Sequence, residues 1–175
     1  MALDVDPTTV RGRWVRHGPD GVPAWPVRVP PPDSRWQRGD IVDALYLGDV
    51  EDTAWAEWYR HLAEKGIPPD EQMPRRLWQW DADVRVANLS TAPRLARVGL
   101  QAPRPGRRTW PPYQAVGAGL WAEGWSGLIA PSAARPRGKI LCLFRDVGEK
   151  IDGVHPVGRG RLVERPPAPP MGMTT

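Results

Sequence analysis

Cysteine, phenylalanine and histidine are nearly missing from this chain of 175 residues, which holds 1 cysteine, 1 phenylalanine and 3 histidines. A single cysteine, Cys142, excludes a disulfide framework within the chain. Its place in the apolar run KILCLF reads as a buried structural thiol. His17, His61 and His155 lie far apart and offer no metal-ligand spacing, so each is read as a surface or capping residue and no metal is expected. No apolar run approaches the length of a membrane span. The N-terminal MALDVDPTT is acidic and lacks the apolar stretch of a signal peptide, so a cytoplasmic protein with no membrane association is expected. The arginines are scattered and form no basic block, so direct nucleic-acid binding is not expected. HPVGRGR (155–161) follows no clear strand and opens no clear helix, so it is not a phosphate-binding loop. APSAAR (130–135) has a serine after a strand but lacks the flanking glycines of a nucleophile elbow.

What is present is an apolar share of 41% with 22 prolines, 18 glycines and 10 tryptophans. The apolar share supports a core and argues against wholesale disorder. Proline and glycine interrupt the chain too often for a helical bundle. Tryptophan serves as the large core residue, with one or two near a cleft free to stack on a planar ligand. The formal net charge of +4 suits a phosphate-bearing small molecule or an acidic partner.

Residues 1–10 read as a frayed lead-in, followed by a short strand around Trp14 and Val15. PDGVPAWPVRVPPPDSRW (19–36) is turn-rich. Ile41–Leu47 is a strand candidate. The next segment is the best-supported helix: Asp49 as N-cap, Asp52 in a capping-box-like place, and Ala54, Trp58 and Leu62 as an apolar stripe widened by Trp55 and Tyr59. Gly66 ends it, and Ile67-Pro68-Pro69 forbids continuation. At about 100° per residue, Glu57 falls about 60° outside the stripe, beside Thr53, His61 and Glu64. That is where a helix side chain lines a cleft. DVRVANL is a second strand, APRLARVGL a short helix ending near Gly99, and PPYQAVGAGLWAEG (111–124) a helix weakened by Gly117 and Gly119. WSGLIAPS (125–132) and KILCLFRD (139–146) read as strands. Strands and helices mix without regular βαβ spacing, so the fold class is α+β. Two units are expected: a domain over 11–146 and a Gly/Pro/Arg-rich extension over 147–175, with RPPAPPMGMTT as an extended tail.

Four polar residues stand at element ends: Arg35 in DSRWQRG, Tyr46, Glu57 in TAWAE, and Ser132 in GLIAPSAAR. Each alone has a bland explanation as a surface arginine, an amphipathic strand end, a solvated glutamate paired with His61, and a turn-capping serine. Their order and spacing together resemble the RES-domain family, named for its arginine, glutamate and serine. WVRH near the start, RVANLS, and KILCLF after GLIAPSAAR extend the resemblance from about Trp14 to Phe144. The segment PPDEQMPRRLWQW reads as an insertion, and the proline-rich tail lies outside the matched core.

The resemblance implies a compact α+β domain similar to mono-ADP-ribosyltransferases, built around an NAD cleft. It implies an NAD-consuming toxin that acts by phosphorolysis or hydrolysis, or by transfer of ADP-ribose to a protein. It also implies a cognate helical antitoxin with an Xre-like helix-turn-helix part that plugs the cleft. NAD would be the substrate, with inorganic phosphate as a co-substrate; pairing of two copies as a homodimer is left open. The chemistry gives each residue a role. Cleavage of the nicotinamide–ribose bond passes through an oxocarbenium-like state. Glu57 would stabilise that charge or hold the ribose hydroxyls. Arg35, with Arg16 of WVRH as a second clamp, would hold the pyrophosphate or an incoming phosphate through guanidinium forks. Tyr46 would offer its ring face to nicotinamide and a hydroxyl at its rim, and Ser132 would hydrogen-bond the amide or a ribose oxygen. An inactive nucleotide- or partner-binding module is the alternative from another class.

Overall fold

A computed structural model describes residues 2–174. Six strands and three helices alternate in the order β1 (Pro7–Pro19), β2 (Asp43–Gly48), α1 (Glu51–Lys65), β3 (Arg75–Asn88), α2 (Ala92–Arg97), α3 (Trp110–Ala122), β4 (Gly127–Pro131), β5 (Lys139–Arg145) and β6 (Val154–Val163). The sheet order is β1-β2-β5-β4-β3-β6, and β1 also pairs with β3. The β1–β3 pairing is antiparallel from Pro7↔Ala87 to Pro19↔Arg75, whereas β1 meets β2 only at Val15↔Gly48. The sheet therefore curves back on itself. All its contacts are antiparallel except β3–β4. This is the expected α+β class. Among the described residues, no helix is long and apolar enough to cross a membrane.

Side-chain alternation splits the core. Leu141 and Leu143 of β5, Leu45 and Leu47 of β2, and Trp78, Trp80, Ala82, Val84 and Val86 of β3 share one cluster. Ile140, Cys142 and Phe144 of β5 face the other way, onto Leu120, Val116 and Tyr113 of α3 and Leu95 of α2. Trp55, Trp58 and Leu62 of α1 form a third cluster with Leu77. Most of the tryptophans are buried, as expected of large core residues.

Several boundaries differ from the sequence reading. Residues 2–10 are not a frayed lead-in. Pro7 already belongs to β1, Leu3 and Val5 pack on the core, and Arg97 pairs with Asp4 at 2.5 Å and Asp6 at 2.6 Å. RRLWQW is not an insertion; it forms the first half of β3, between β1 and β6. The extension expected over 147–175 supplies β6, which pairs with β3 from Arg75 to Ala82. Gly and Arg suit that strand because it is an edge, exposed along much of its length. Asp49 is not the N-cap of α1. Val50 occupies that place, while Asp49 Oδ1 accepts hydrogen bonds from the Val50 amide and the Thr53 hydroxyl at 2.6 Å. The C-terminal end is as expected, with Gly66 left-handed at φ 65° and the Ile67 amide donating to Leu62 O.

Two features set the cleft. A buried ion pair, Arg145 Nε to Asp43 at 2.7 Å, and a hydrogen bond from Arg145 to Pro26 O fasten the loop between β1 and β2. Gly117 lets α3 approach the same loop, because a Cβ there would stand 2.0 Å from Trp36 O.

Candidate active site

A cleft of about 270 Å³ opens between α1, β1, β2 and the turn before β2. Its walls include Arg16 and His17 of β1, Arg35 and Trp36 of the turn, Tyr46 of β2, and Ala54, Glu57, Trp58, Arg60 and His61 of α1. Arg75, Trp110 and Ala133 complete it. Four of the five residues singled out from sequence, Arg16, Arg35, Tyr46 and Glu57, therefore line one cavity. The fifth, Ser132, lies directly behind Glu57.

Glu57 is held on both oxygens. Oε1 accepts from the Ser132 hydroxyl at 2.6 Å, the Ala133 amide at 2.9 Å and the Ala134 amide at 3.3 Å. Oε2 pairs with Arg60 at 3.1 Å. Arg60 also pairs with Glu64, whose Oε1 accepts from the Gly106 amide at 2.7 Å. The partner of Glu57 is thus Arg60, not His61. Three donors on one oxygen fix the plane of the carboxylate. The Glu57 side chain is 26% exposed against 9% for Arg60, so the open side of the pair belongs to the glutamate.

Ser132 has one hydroxyl proton and donates it in a hydrogen bond to Glu57 Oε1. Its oxygen also accepts from the amides of Ala134 at 3.1 Å and Arg135 at 3.0 Å. In this structure the Ser132 hydroxyl, expected to hydrogen-bond substrate, donates to Glu57, because the turn after β4 wraps it inward. Tyr46 is similar. Its hydroxyl shares a 2.5 Å hydrogen bond with Ser34 Oγ and accepts from the Trp36 amide at 3.1 Å. Burial raises its pKa well above the ordinary value. The hydroxyl clamps the Arg35 turn and only the ring is left for the cleft. Gln114 of α3 reinforces that turn by donating to Ser34 O at 2.9 Å and Gln37 O at 3.2 Å.

Arg35, 6% exposed, donates to Thr109 Oγ1 at 3.0 Å and to Arg104 O at 2.6 Å, and it lies over Tyr113 at 5.2 Å. Two of its five N–H donors are engaged, which fixes the plane of the guanidinium. Arg16 contrasts with it. Its Nη1 is buried with no hydrogen-bond partner. Burial, then Arg28, Arg75 and Arg145, lower its pKa to about 9, opposed by Asp43. Arg75 is lowered to about 10 by burial and Arg28. Guanidiniums crowded together with spare donors favour an anion.

Sequence reasoning missed Arg60, Arg75, His17 and Trp110. Arg60 was legible, since Glu57, Arg60 and Glu64 follow helical ion-pair spacing. The others had no local signal. His17 is not a surface residue; it stacks on Trp55 with centroids 3.9 Å apart. Arg75 Nε donates to its Nδ1 at 2.8 Å, and its Nε2 lies 3.2 Å from Ala54 O. That arrangement requires a neutral ring protonated at Nε2. Burial and Arg75 lower its pKa to about 3.

The RES domain family model matches residues 9–163. The chain belongs to the RES family. Among its relatives is a probable NAD(+) phosphorylase of Mycobacterium tuberculosis, 27% identical over 140 residues, which are 78% of this chain and 66% of the relative. The chain thus spans just under two thirds of that relative's length. The fold is similar to a solved structure of the M. tuberculosis MbcT–MbcA toxin–antitoxin complex, with a TM-score of 0.73 at 20% identity, covering 90% of this chain and 86% of the other. The RES match starts inside β1 and ends with β6, so the family's extent includes the strand read from sequence as an extension.

Proposed function

We propose that this RES protein consumes NAD by cleaving the nicotinamide–ribose bond, with inorganic phosphate as the preferred acceptor. The observation that carries the reading is one cleft with a fixed carboxylate, Glu57, and the half-buried Arg16, whose buried Nη1 has no hydrogen-bond partner. That pairing suits a substrate whose reacting ribose becomes cationic while its pyrophosphate stays anionic.

In this reading Glu57 faces the ribose and stabilises the positive charge that develops as nicotinamide departs with the bonding electrons. Its preset orientation costs nothing at the moment of reaction. Arg16 and Arg75 hold phosphate oxygens, and Arg35 supplies its remaining donors from a rigid turn. The Tyr46 ring borders the nicotinamide. Ser132 positions Glu57 and does not touch substrate. Phosphate attack on the ribose carbon then yields nicotinamide and an ADP-ribose phosphate ester, whereas water yields ADP-ribose and a proton. Seating the phosphate raises its effective concentration over the solution value. A relative named as an NAD(+) phosphorylase supports the phosphate acceptor.

The biological role in this reading is that of a cytoplasmic toxin. Its partner is a cognate antitoxin with a helix-turn-helix part, covering the cleft; the structural relative solved as a toxin–antitoxin complex supports an antitoxin partner. The test is to incubate purified protein with NAD, with and without added phosphate, and to identify products by mass. Nicotinamide release accelerated by phosphate, with a phosphorylated ADP-ribose product, is the expected result. A rate indifferent to phosphate with free ADP-ribose as sole product would replace phosphorolysis by hydrolysis. Label attached to protein would indicate transfer. No NAD loss at all would leave a binding module.

A further inference from the structure

The segment after β6 has the composition of a free tail, yet it is tied down where it matters most for Glu57. Tyr59 of α1 donates its hydroxyl to Pro167 O. Pro170 is buried. Thr174 donates its amide to Ala134 O at 2.7 Å and its hydroxyl to Ala133 O at 3.1 Å. Both carbonyls belong to the turn that grips Glu57.

The peptide geometry makes this more than packing. The Ala133–Ala134 peptide has its C=O on the Thr174 hydroxyl and its N–H on Glu57 Oε1 and Ser132 Oγ. The Ala134–Arg135 peptide has its C=O on the Thr174 amide and its N–H on Ser132 Oγ. A peptide unit is planar, so fixing its carbonyl fixes the direction of its N–H. Hydrogen bonds in such a chain also polarise one another. Thr174 therefore acts on two adjacent amide planes whose far edges hold the carboxylate and the serine that orients it.

We infer that residues 164–174 are a positioning strap for the active site, with Thr174 setting the orientation of Glu57 through the Ala133–Arg135 peptides. The inference rests on Glu57 acting in NAD cleavage as proposed above. Thr174 is a positioning residue that touches no substrate. Its loss changes turnover through the angle of the carboxylate and leaves the phosphate-binding arginines, and so NAD binding, in place.

The experiment compares full-length Thr174→Pro, which removes both donors, Thr174→Val, which removes the hydroxyl, and Thr174→Ser, which keeps both. Amide hydrogen exchange at Ala134 and Arg135 is read in each, and kcat and KM for NAD are measured well below the melting temperature. In Thr174→Pro, exchange at these amides rises relative to β4 and β5, and kcat falls about tenfold with KM within about twofold. Thr174→Val lies between, and Thr174→Ser matches the parent. Parental exchange and kcat in Thr174→Pro, with only a lower melting temperature, would reduce the strap to packing and overturn the inference. So would a kcat loss in Thr174→Ser equal to that in Thr174→Pro. If Thr174→Pro does not fold, Thr174→Val decides by the same two readings. A parent chain that leaves NAD intact would defeat the proposed activity, and the exchange measurement would still decide whether Thr174 orders the turn.

Discussion

Replacing Glu57 by glutamine tests the proposed chemistry most directly, because the structure says where each atom of the amide would go. The glutamine Oε1 can keep all three donors now on the carboxylate, those of Ser132, Ala133 and Ala134. The new NH₂ then points at Arg60, donor against donor. The flipped rotamer is worse, since it sets the NH₂ against three donors. The expected pose is therefore parental, with one ion pair lost. Arg60 retains Glu64 and so is not stranded. Losing a partly exposed pair with a second carboxylate in place costs about 1 kcal/mol. For a chain of this size that is a melting-temperature drop of about 2–4 °C. Activity should fall far more. Removing the charge proposed to offset the developing ribose cation is expected to lower kcat by about 10²–10³. The assay is nicotinamide release at saturating NAD, with circular dichroism melting on the same preparation. A folded Glu57→Gln protein turning over within about threefold of the parent would refute the assignment of Glu57. A melting drop large enough to explain the lost activity would refute the claim that the pose is preserved.

Arg35→Lys keeps charge but cannot serve both Thr109 Oγ1 and Arg104 O, so KM for NAD is expected to rise about tenfold; an unchanged NAD titration would remove Arg35 from the site. His17 is held neutral with a pKa of about 3 against an ordinary 6.5, so below pH 6.5 the unfolded chain binds a proton that the folded chain refuses. Its contribution to stability is complete above pH 6.5 and declines as pH falls toward 3; melting temperature followed from pH 7 to 4 should show this, and His17→Gln should flatten the curve. Gly117→Ala places a Cβ 2.0 Å from Trp36 O and should cost about 1–3 kcal/mol and weaken activity, since Trp36 follows Arg35. Gly119→Ala meets only the end of the Leu3 side chain at 3.1 Å and should be nearly neutral, which makes it the control in the same melting experiment.

The sequence by itself determined the elements whose signals are local. Proline and glycine punctuation marks where α1 ends, at Gly66, and where α3 begins. Short apolar runs mark β2 and β5, and the TAWAE spacing sets Glu57 off the apolar stripe. The set Arg35, Tyr46, Glu57 and Ser132 is legible as a pattern along the chain, and with it the RES family. Tertiary structure alone decided what those groups touch. Tyr46 and Ser132 look like substrate contacts in sequence, yet their hydroxyls turn inward because the Arg35 turn and the loop after β4 close over them. β6 and the first half of β3 are made strands by pairing partners far along the chain, which overrides their glycine, proline and arginine content. Arg75 enters the cleft because β1 and β3 are in register there and His17 receives its Nε proton. Thr174 reaches Ala133 and Ala134 across some forty residues. Local periodicity reports which face of an element is apolar. It carries no information about which distant backbone group lies opposite a polar side chain, and that pairing is what fixes the orientation of Glu57.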